Sequence, residues 1–183
     1  TSQLVTGDTA TGSSVILVTP DSERTMNTYL GANREFGNDD VDLDVVNSAE
    51  FFYFTGYMWD TDHQKNAVLK ALKSFKERKK PIAFDLADPF AVTRYHDDFR
   101  DLITEHIDVV FANREEAKLM FGTENAEDAV AALSEICELA VVKDGACGSF
   151  VMRKGGTVEK IPCREVNAID TTGAGDMFAA GFL

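Results

Sequence analysis

Long apolar runs are missing from this sequence. The most apolar stretch, residues 51–59, is interrupted by Thr55 and Gly56 and falls far short of the roughly 20 residues that a membrane-spanning helix needs. Neither a spanning helix nor a leader peptide is predicted. Positive charge is also scarce: 18 lysines and arginines stand against 31 acidic residues, a net charge of -13. Such a surface repels phosphate backbones and anionic bilayers, so no nucleic-acid or membrane partner is expected. Cysteine is limited to Cys137, Cys147 and Cys163, an odd number with no CxxC pair, which excludes a disulfide framework or a zinc ribbon and predicts structural thiols in the cytoplasm. His63, His96 and His106 lack HExxH spacing, so they indicate no metal site. Two nucleotide motifs are absent as well. Without GxxxxGK[ST] there is no P-loop, and without GxGxxG between a first strand and helix there is no dinucleotide-binding site of a dehydrogenase.

What is present is a chain of 183 residues, 44% hydrophobic, enough for a single core. The run Val15-Ile16-Leu17-Val18 predicts a strand over 13–19, turned by Pro20-Asp21-Ser22-Glu23 into a second strand over 24–30. Residues 33–40 read as a loop, 44–49 as a helical turn and 51–54 as a buried aromatic strand. Ala67, Val68, Ala71, Leu72 and Phe75 fall three and four apart, which predicts an amphipathic helix over 62–79, stopped by Pro81. Strands at 82–86, 108–112 and 139–143 alternate with helices near 99–106, 115–121 and 127–138. A hairpin follows, 148–153 with 158–162, turned at Lys154-Gly155-Gly156. Alternation of this kind predicts an α/β fold with a mostly parallel sheet covered by helices on both faces.

The chemistry concentrates near the end, in Asp170-Thr171-Thr172-Gly173-Ala174-Gly175-Asp176. Residues this small let successive backbone N–H groups converge on one point, and a helix starting there adds its positive dipole end, so the loop suits an anion. A carboxylate on the first turn, Asp176, is placed to accept a proton from a hydroxyl attacking a phosphorus held over the loop. The same residues also suit a plain helix start in which Asp170 or Thr172 is the N-cap. Physics alone leaves both open.

The extended string from Asp170 through Phe182 resembles the C-terminal signature of the ribokinase (PfkB) family of carbohydrate and nucleoside kinases, matched at nearly every position. In that family the glycines form the anion hole and the last aspartate is the base, which implies those roles for Gly173, Ala174, Gly175 and Asp176, with Thr172 beside the nucleotide and Asp170 beside the substrate. Asn113-Arg114-Glu115-Glu116 is similar to the family's NxxE motif, implying that Asn113 and Glu116 organise Mg²⁺ and phosphates through water. An N-cap with first-turn acids is the ordinary reading of those residues. The segment 141–148 resembles the strand-end GxxG element along ATP, so Asp144, Gly145 and Gly148 are nucleotide contacts by resemblance, although Lys143-Asp144 stands where Thr-Leu or Thr-Arg is commoner.

Residues 11–33 resemble the lid strands of the adenosine-kinase-like branch, with Arg24 reaching phosphate or substrate, and Phe84-Asp85-Leu86-Ala87-Asp88-Pro89-Phe90 resembles that branch's strand and substrate-side loop. The implied organisation is a partial β lid at 1–34 and an incomplete α/β nucleotide-binding core at 35–183, the chain being an internal portion of a longer ribokinase-like fold. The implied activity is transfer of the γ-phosphoryl of MgATP to a hydroxymethyl group of a small-molecule sugar or nucleoside. ATP and Mg²⁺ are the expected cofactors, a monovalent cation is a further one in many members, and the expected assembly is a monomer or homodimer. The rival expectation is a non-catalytic binding or scaffolding fragment with the same fold.

Overall fold

The computed structural model describes residues 6–20, 24–166, 168 and 170–183. Strands β1 (Thr11–Val18) and β2 (Arg24–Gly31) pair antiparallel as a separate two-stranded sheet, with Val15 opposite Asn27 and the Ser14 and Thr28 hydroxyls 2.8 Å apart. Every described residue of β1 is exposed, as suits a hairpin held away from the main body.

That body is a six-stranded sheet in chain order: β3 (Phe52–Thr55), β4 (Ile82–Asp85), β5 (Val109–Asn113), β6 (Leu139–Lys143), β7 (Ser149–Arg153) and β8 (Glu159–Ile161). The first four are parallel, and β7 and β8 return antiparallel. Its helices are α1 (Leu43–Ser48), α2 (Asp62–Glu77), α3 (Pro89–Arg94), α4 (His96–His106), α5 (Arg114–Phe121), α6 (Ala126–Ser134) and α7 (Ala174–Phe182). Since β3 to β6 step across the sheet in one direction, right-handed crossovers put the intervening helices on one face.

The period-two alternation of the strands then divides the core. Phe54, Phe84, Val110, Ala112, Ala140 and Val142 point at α2 to α6 and form the large cluster. Phe84 is fully buried there, stacked on Phe54 at 4.8 Å and edge-on to Phe99 at 5.1 Å. Tyr53, Ala83, Phe111, Val141 and Val151 point the other way and meet Phe178 and Ala179 of α7. The rings of Phe178 and Phe182 stand edge-on to Phe111 at 6.4 and 5.3 Å. Helices therefore cover both faces, α2 to α6 on one, where α1 also packs through Val46, and α7 on the other. Among the described residues no helix is long and apolar enough to cross a membrane.

Two segments differ from the sequence expectation. The stretch read as a loop, 33–40, contains two 3₁₀ turns, Ala32–Glu35 and Asn38–Asp40, the second closed by the Gly37 N–H donating to Asp40 Oδ2 at 2.8 Å. The segment after β4 holds α3, with Pro89 in its first turn and Asp88 Oδ1 accepting from the Phe90 N–H at 2.7 Å. A helix of six residues shows little periodicity, and 84–90 resembles a strand with a substrate-side loop; the signals for α3 are the cap and the proline.

The three cysteines separate by burial. Cys137 is 4% exposed, its thiol donates to the Leu133 carbonyl, and burial pushes it up to about 12, whereas Cys147 and Cys163 are exposed. At neutral pH a maleimide is expected to label Cys147 and Cys163 in the native state and Cys137 about a thousandfold more slowly, because the thiolate is the reactive form. Mass mapping of the labelled peptides checks this. Equal labelling of all three would contradict the packing of α6 on β6.

Candidate active site

The parallel strands end at Thr55, Asp85, Asn113 and Lys143, and in open α/β sheets ligands bind beyond these carboxyl ends. A groove of about 600 Å³, lined in part by Lys76, Ile82, His106 and Lys154, opens instead at the amino ends of the strands, on the opposite edge. The predicted site residues gather at the carboxyl edge.

Helix α7 follows Gly173, the N-cap residue, whose φ of 75° and ψ of 5° lie in the left-handed region where a Cβ is strained. Among the described residues no side chain caps this helix. Asp170 Oδ1 accepts instead from the Thr172 N–H at 2.8 Å and from the Thr172 hydroxyl at 2.7 Å, which fixes the turn ahead of the helix. Of the two readings open in the sequence, side-chain capping by Asp170 or Thr172 is not what the chain does. The Ala174 N–H donates to the Thr171 carbonyl at 3.1 Å, and among the described residues the Gly175 and Asp176 amides of that turn meet no acceptor, so these two are left to an outside one. Asp176 lies exposed on that same turn.

Beside this turn lies a pair that the sequence reading did not assign to the site. Lys143 Nζ, at the end of β6, donates to Asp85 Oδ2 at 2.8 Å, with side-chain exposures of 17% and 3%. Asp85 Oδ1 accepts from the Ala87 N–H at 3.1 Å, and Ala87 has a φ of 64°, a rare conformation for a residue with a Cβ. Burial pushes the Asp85 carboxyl above its ordinary range, against the opposing pull of Lys143. The Lys143 ammonium also reaches the glycine loop, since a Cβ placed on Gly175 would stand 3.3 Å from Nζ.

Asn113 and Glu116 form a reciprocal cap at the start of α5. The Asn113 N–H donates to Glu116 Oε2 at 2.8 Å, its amide Nδ2 donates to Oε1 at 2.7 Å, and the Glu116 N–H donates to Asn113 Oδ1 at 2.8 Å. The ordinary capping role is therefore real, and both carboxylate oxygens accept from Asn113. Glu116 is 2% exposed, and burial pushes it up to about 7, with Asp85 and Asp88 adding to the rise and Asn113 and Lys143 opposing it. Tyr57 sits in the same field: burial raises its phenol, and Asp88, Glu116, Asp176 and Asp85 raise it further.

The remaining predicted contacts lie on the turn between β6 and β7. Asp144 pairs with Arg114 at 3.1 Å, and its N–H donates to the Gly148 carbonyl at 2.8 Å. Gly145 and Gly148 have φ of 53° and 96°, and only Gly148 is crowded, a Cβ there falling 2.1 Å from the Ile161 carbonyl oxygen. Arg24 opens β2, but its side chain lies outside the described residues. The structure thus brings Gly173, Ala174, Gly175 and Asp176 together with Lys143 and Asp85, and places Asn113 and Glu116 in the same electrostatic cluster. Lys143 and Asp85 were visible in the sequence as residues of two strand ends, yet nothing local signals a pair 58 positions apart.

A doubly flanked sheet whose carboxyl edge meets an uncapped glycine-rich helix start and a first-turn aspartate is the arrangement of a phosphotransferase of the ribokinase type. The chain belongs to the pfkB family carbohydrate kinases, whose family description it matches over residues 1–183. It is similar to the crystal structure of adenosine kinase from Sinorhizobium meliloti, with a TM-score of 0.88 and 41% identity, covering 93% of this chain and 53% of that one. A probable sugar kinase from Rhizobium etli CFN 42 superposes with a TM-score of 0.93 at 38% identity, over 99% of this chain and 56% of that one. Adenosine kinase of Dictyostelium discoideum is 28% identical over 190 residues, 94% of this chain and 55% of that protein. The similarity to adenosine kinases places the chain in the adenosine-kinase-like branch of the family. The chain spans about half the length of these relatives.

Proposed function

We propose that this chain carries the phosphoryl-transfer centre of a kinase that moves the γ-phosphoryl group of MgATP to a hydroxymethyl group of a sugar or nucleoside, with a nucleoside favoured. The observation that carries this reading is the uncapped start of α7 with Asp176 on its first turn, set against the Lys143–Asp85 pair at the carboxyl edge of the sheet.

The division of labour follows from the residues. Asp176 accepts the proton of the acceptor hydroxyl as its oxygen bonds to the γ-phosphorus, while the bond from that phosphorus to the bridging oxygen breaks and ADP leaves. The amides of Gly173 and Gly175 face the charge that develops on the transferred group and are already oriented before it appears, while the Ala174 N–H closes the turn on the Thr171 carbonyl at 3.1 Å. Asp144, Gly145 and Gly148 lie along the nucleotide, Thr172 and Asp170 hold the turn, and the β1–β2 hairpin with Arg24 closes over the acceptor and excludes water.

The donor set fits Mg²⁺ bound through water. Glu116 is a carboxylate among other carboxylates, Asn113 already occupies both of its oxygens, and among the described residues no three His, Cys, Asp or Glu side chains converge on one point. Bound there, Mg²⁺ would neutralise phosphate charge and orient the leaving oxygens.

The nucleoside preference rests on the similarity to adenosine kinases and on the lid and 84–90 segments. Its test is a panel of adenosine, ribose and fructose with MgATP on the intact protein that carries this chain, following ADP release. Adenosine is expected to exceed the others in kcat/KM by about 10⁴-fold, the discrimination that hydrogen-bonded recognition supplies. Turnover of fructose alone would overturn the nucleoside assignment, and no ADP with any acceptor would overturn the kinase reading. Because the chain spans about half of its relatives, a non-catalytic fragment with the kinase fold is the second reading. Comparing the chain with the intact protein in the same assay separates the two.

A further inference from the structure

The carboxyl edge of the sheet poses an electrostatic problem. Asp176 acts on Asp85, Asp85 and Asp88 act on Glu116, and all four act on Tyr57, yet the group to be bound there is a polyanion. Lys143 is the cation that acts on both Asp85 and Glu116. It stands where the family resemblance puts a neutral threonine.

We propose that Lys143 is a phosphate-binding residue of this site: its ammonium, tethered by Asp85 beside the 173–176 loop, contacts the terminal phosphate of the nucleoside triphosphate. The inference rests on the kinase reading above and adds to it a charged ligand for the group being transferred.

Three features of the geometry carry it. Asp85 is fixed at both oxygens, one held by the Ala87 N–H and the other by Lys143, so the carboxylate is a rigid anchor for a side chain that is otherwise flexible. An ammonium has three donors and Asp85 takes one; among the described residues no other acceptor bonds Lys143. Its Nζ lies against the backbone of Gly175, one residue ahead of Asp176 and on the turn whose amides lack a side-chain cap. A phosphate oxygen on those amides is therefore within reach of the ammonium. Gly175 is also the residue that leaves the ammonium room, because a Cβ there would press on Nζ.

The rival explanation is a purely structural clamp between the ends of β4 and β6. Binding separates the two, since a clamp does not distinguish ATP from ADP. In the intact protein, without acceptor, calorimetry on wild type and on Lys143→Met would measure the dissociation constants of ATP and ADP in the presence of Mg²⁺. Loss of one charge-assisted hydrogen bond to the terminal phosphate is expected to weaken ATP by about 10- to 100-fold. ADP is expected to weaken by less than about threefold, and Lys143→Arg to recover part of the ATP affinity. If Lys143→Met leaves a buried carboxylate unpaired and does not fold, the double variant Lys143→Met/Asp85→Asn removes both charges and carries the same measurement. An unchanged ratio of ATP to ADP affinity in a folded variant overturns the role of Lys143 and leaves the kinase reading standing. Failure of the wild-type protein to bind ATP overturns both.

Discussion

Replacing Asp176 by Asn in the intact protein is expected to lower kcat by about a thousandfold, the scale of a positioned general base, while changing the ATP dissociation constant by less than about threefold. Asn keeps the size and the hydrogen-bonding oxygen but cannot take a proton at neutral pH. The loop proposed to bind phosphate is backbone, and Gly173, Ala174 and Gly175 do not depend on the side chain at 176 to keep their conformation: the Gly173 turn is set by Asp170 and Thr172, and α7 is seated by Phe178, Ala179 and Phe182 on Phe111 and its neighbours. Single-turnover phosphoryl transfer beside equilibrium nucleotide binding measures the two effects separately. Turnover within tenfold of wild type would remove Asp176 from the role of base. A parallel loss of ATP binding would mean that the side chain supports the loop rather than the chemistry.

The second large effect concerns stability and divides two glycines that look alike in the sequence. Gly148→Ala is expected to destabilise the fold by about 3 kcal/mol, from a strained φ together with a collision against backbone. Gly148 has a φ of 96°, and an added Cβ would lie 2.1 Å from the Ile161 carbonyl oxygen and 3.0 Å from the Cys163 nitrogen. Neither atom is the end of a flexible side chain, so relief requires β8 to move away from β7. Gly145→Ala has a φ of 53° and nothing within 4 Å of the new atom, so it pays only the left-handed conformation, about 1 kcal/mol. Urea unfolding midpoints of the two variants check the difference. Equal losses would mean that the β7–β8 hairpin does not close on Gly148 as described.

This pair of glycines marks the limit of what a local pattern can tell. Both were read as contacts along the nucleotide because they fit a GxxG element after a strand. The structure gives Gly148 a separate and sufficient reason to be glycine, the approach of Ile161, 13 residues further on, at the end of β8 where it pairs with the first residue of β7. The same limit applied to Asn113 and Glu116. Their spacing announced an N-cap, and the cap is there. What the spacing could not announce is that burial raises Glu116 to about 7 and that Asp85, Asp88 and Lys143 act on it from other segments.

Much of the fold was legible because its signals are local. Alternating apolar residues marked the strands, three- and four-residue spacing marked α2, α4, α5 and α6, and Gly-rich or Pro-containing breaks marked their ends. Helix α3 escaped because six residues span less than two turns. The 3₁₀ turns at 32–35 and 38–40 escaped because they rest on a few local hydrogen bonds rather than on a hydrophobic period.

The glycine-rich turn before α7 shows the division most clearly. By itself the sequence determined that residues 170–176 would be a turn entering a helix with a carboxylate on its first turn, because side-chain size, backbone freedom and helix-start chemistry are properties of neighbours in the chain. Whether a side chain would take the free amides, and what would face them, was decided only by the tertiary structure. Asp170 turned to Thr172 and left the helix uncapped, and strands β4 and β6, brought side by side with β5 between them, carried Asp85 and Lys143 to the loop. Electrostatic fields depend on distance in space, and distance in space between remote segments is what folding sets.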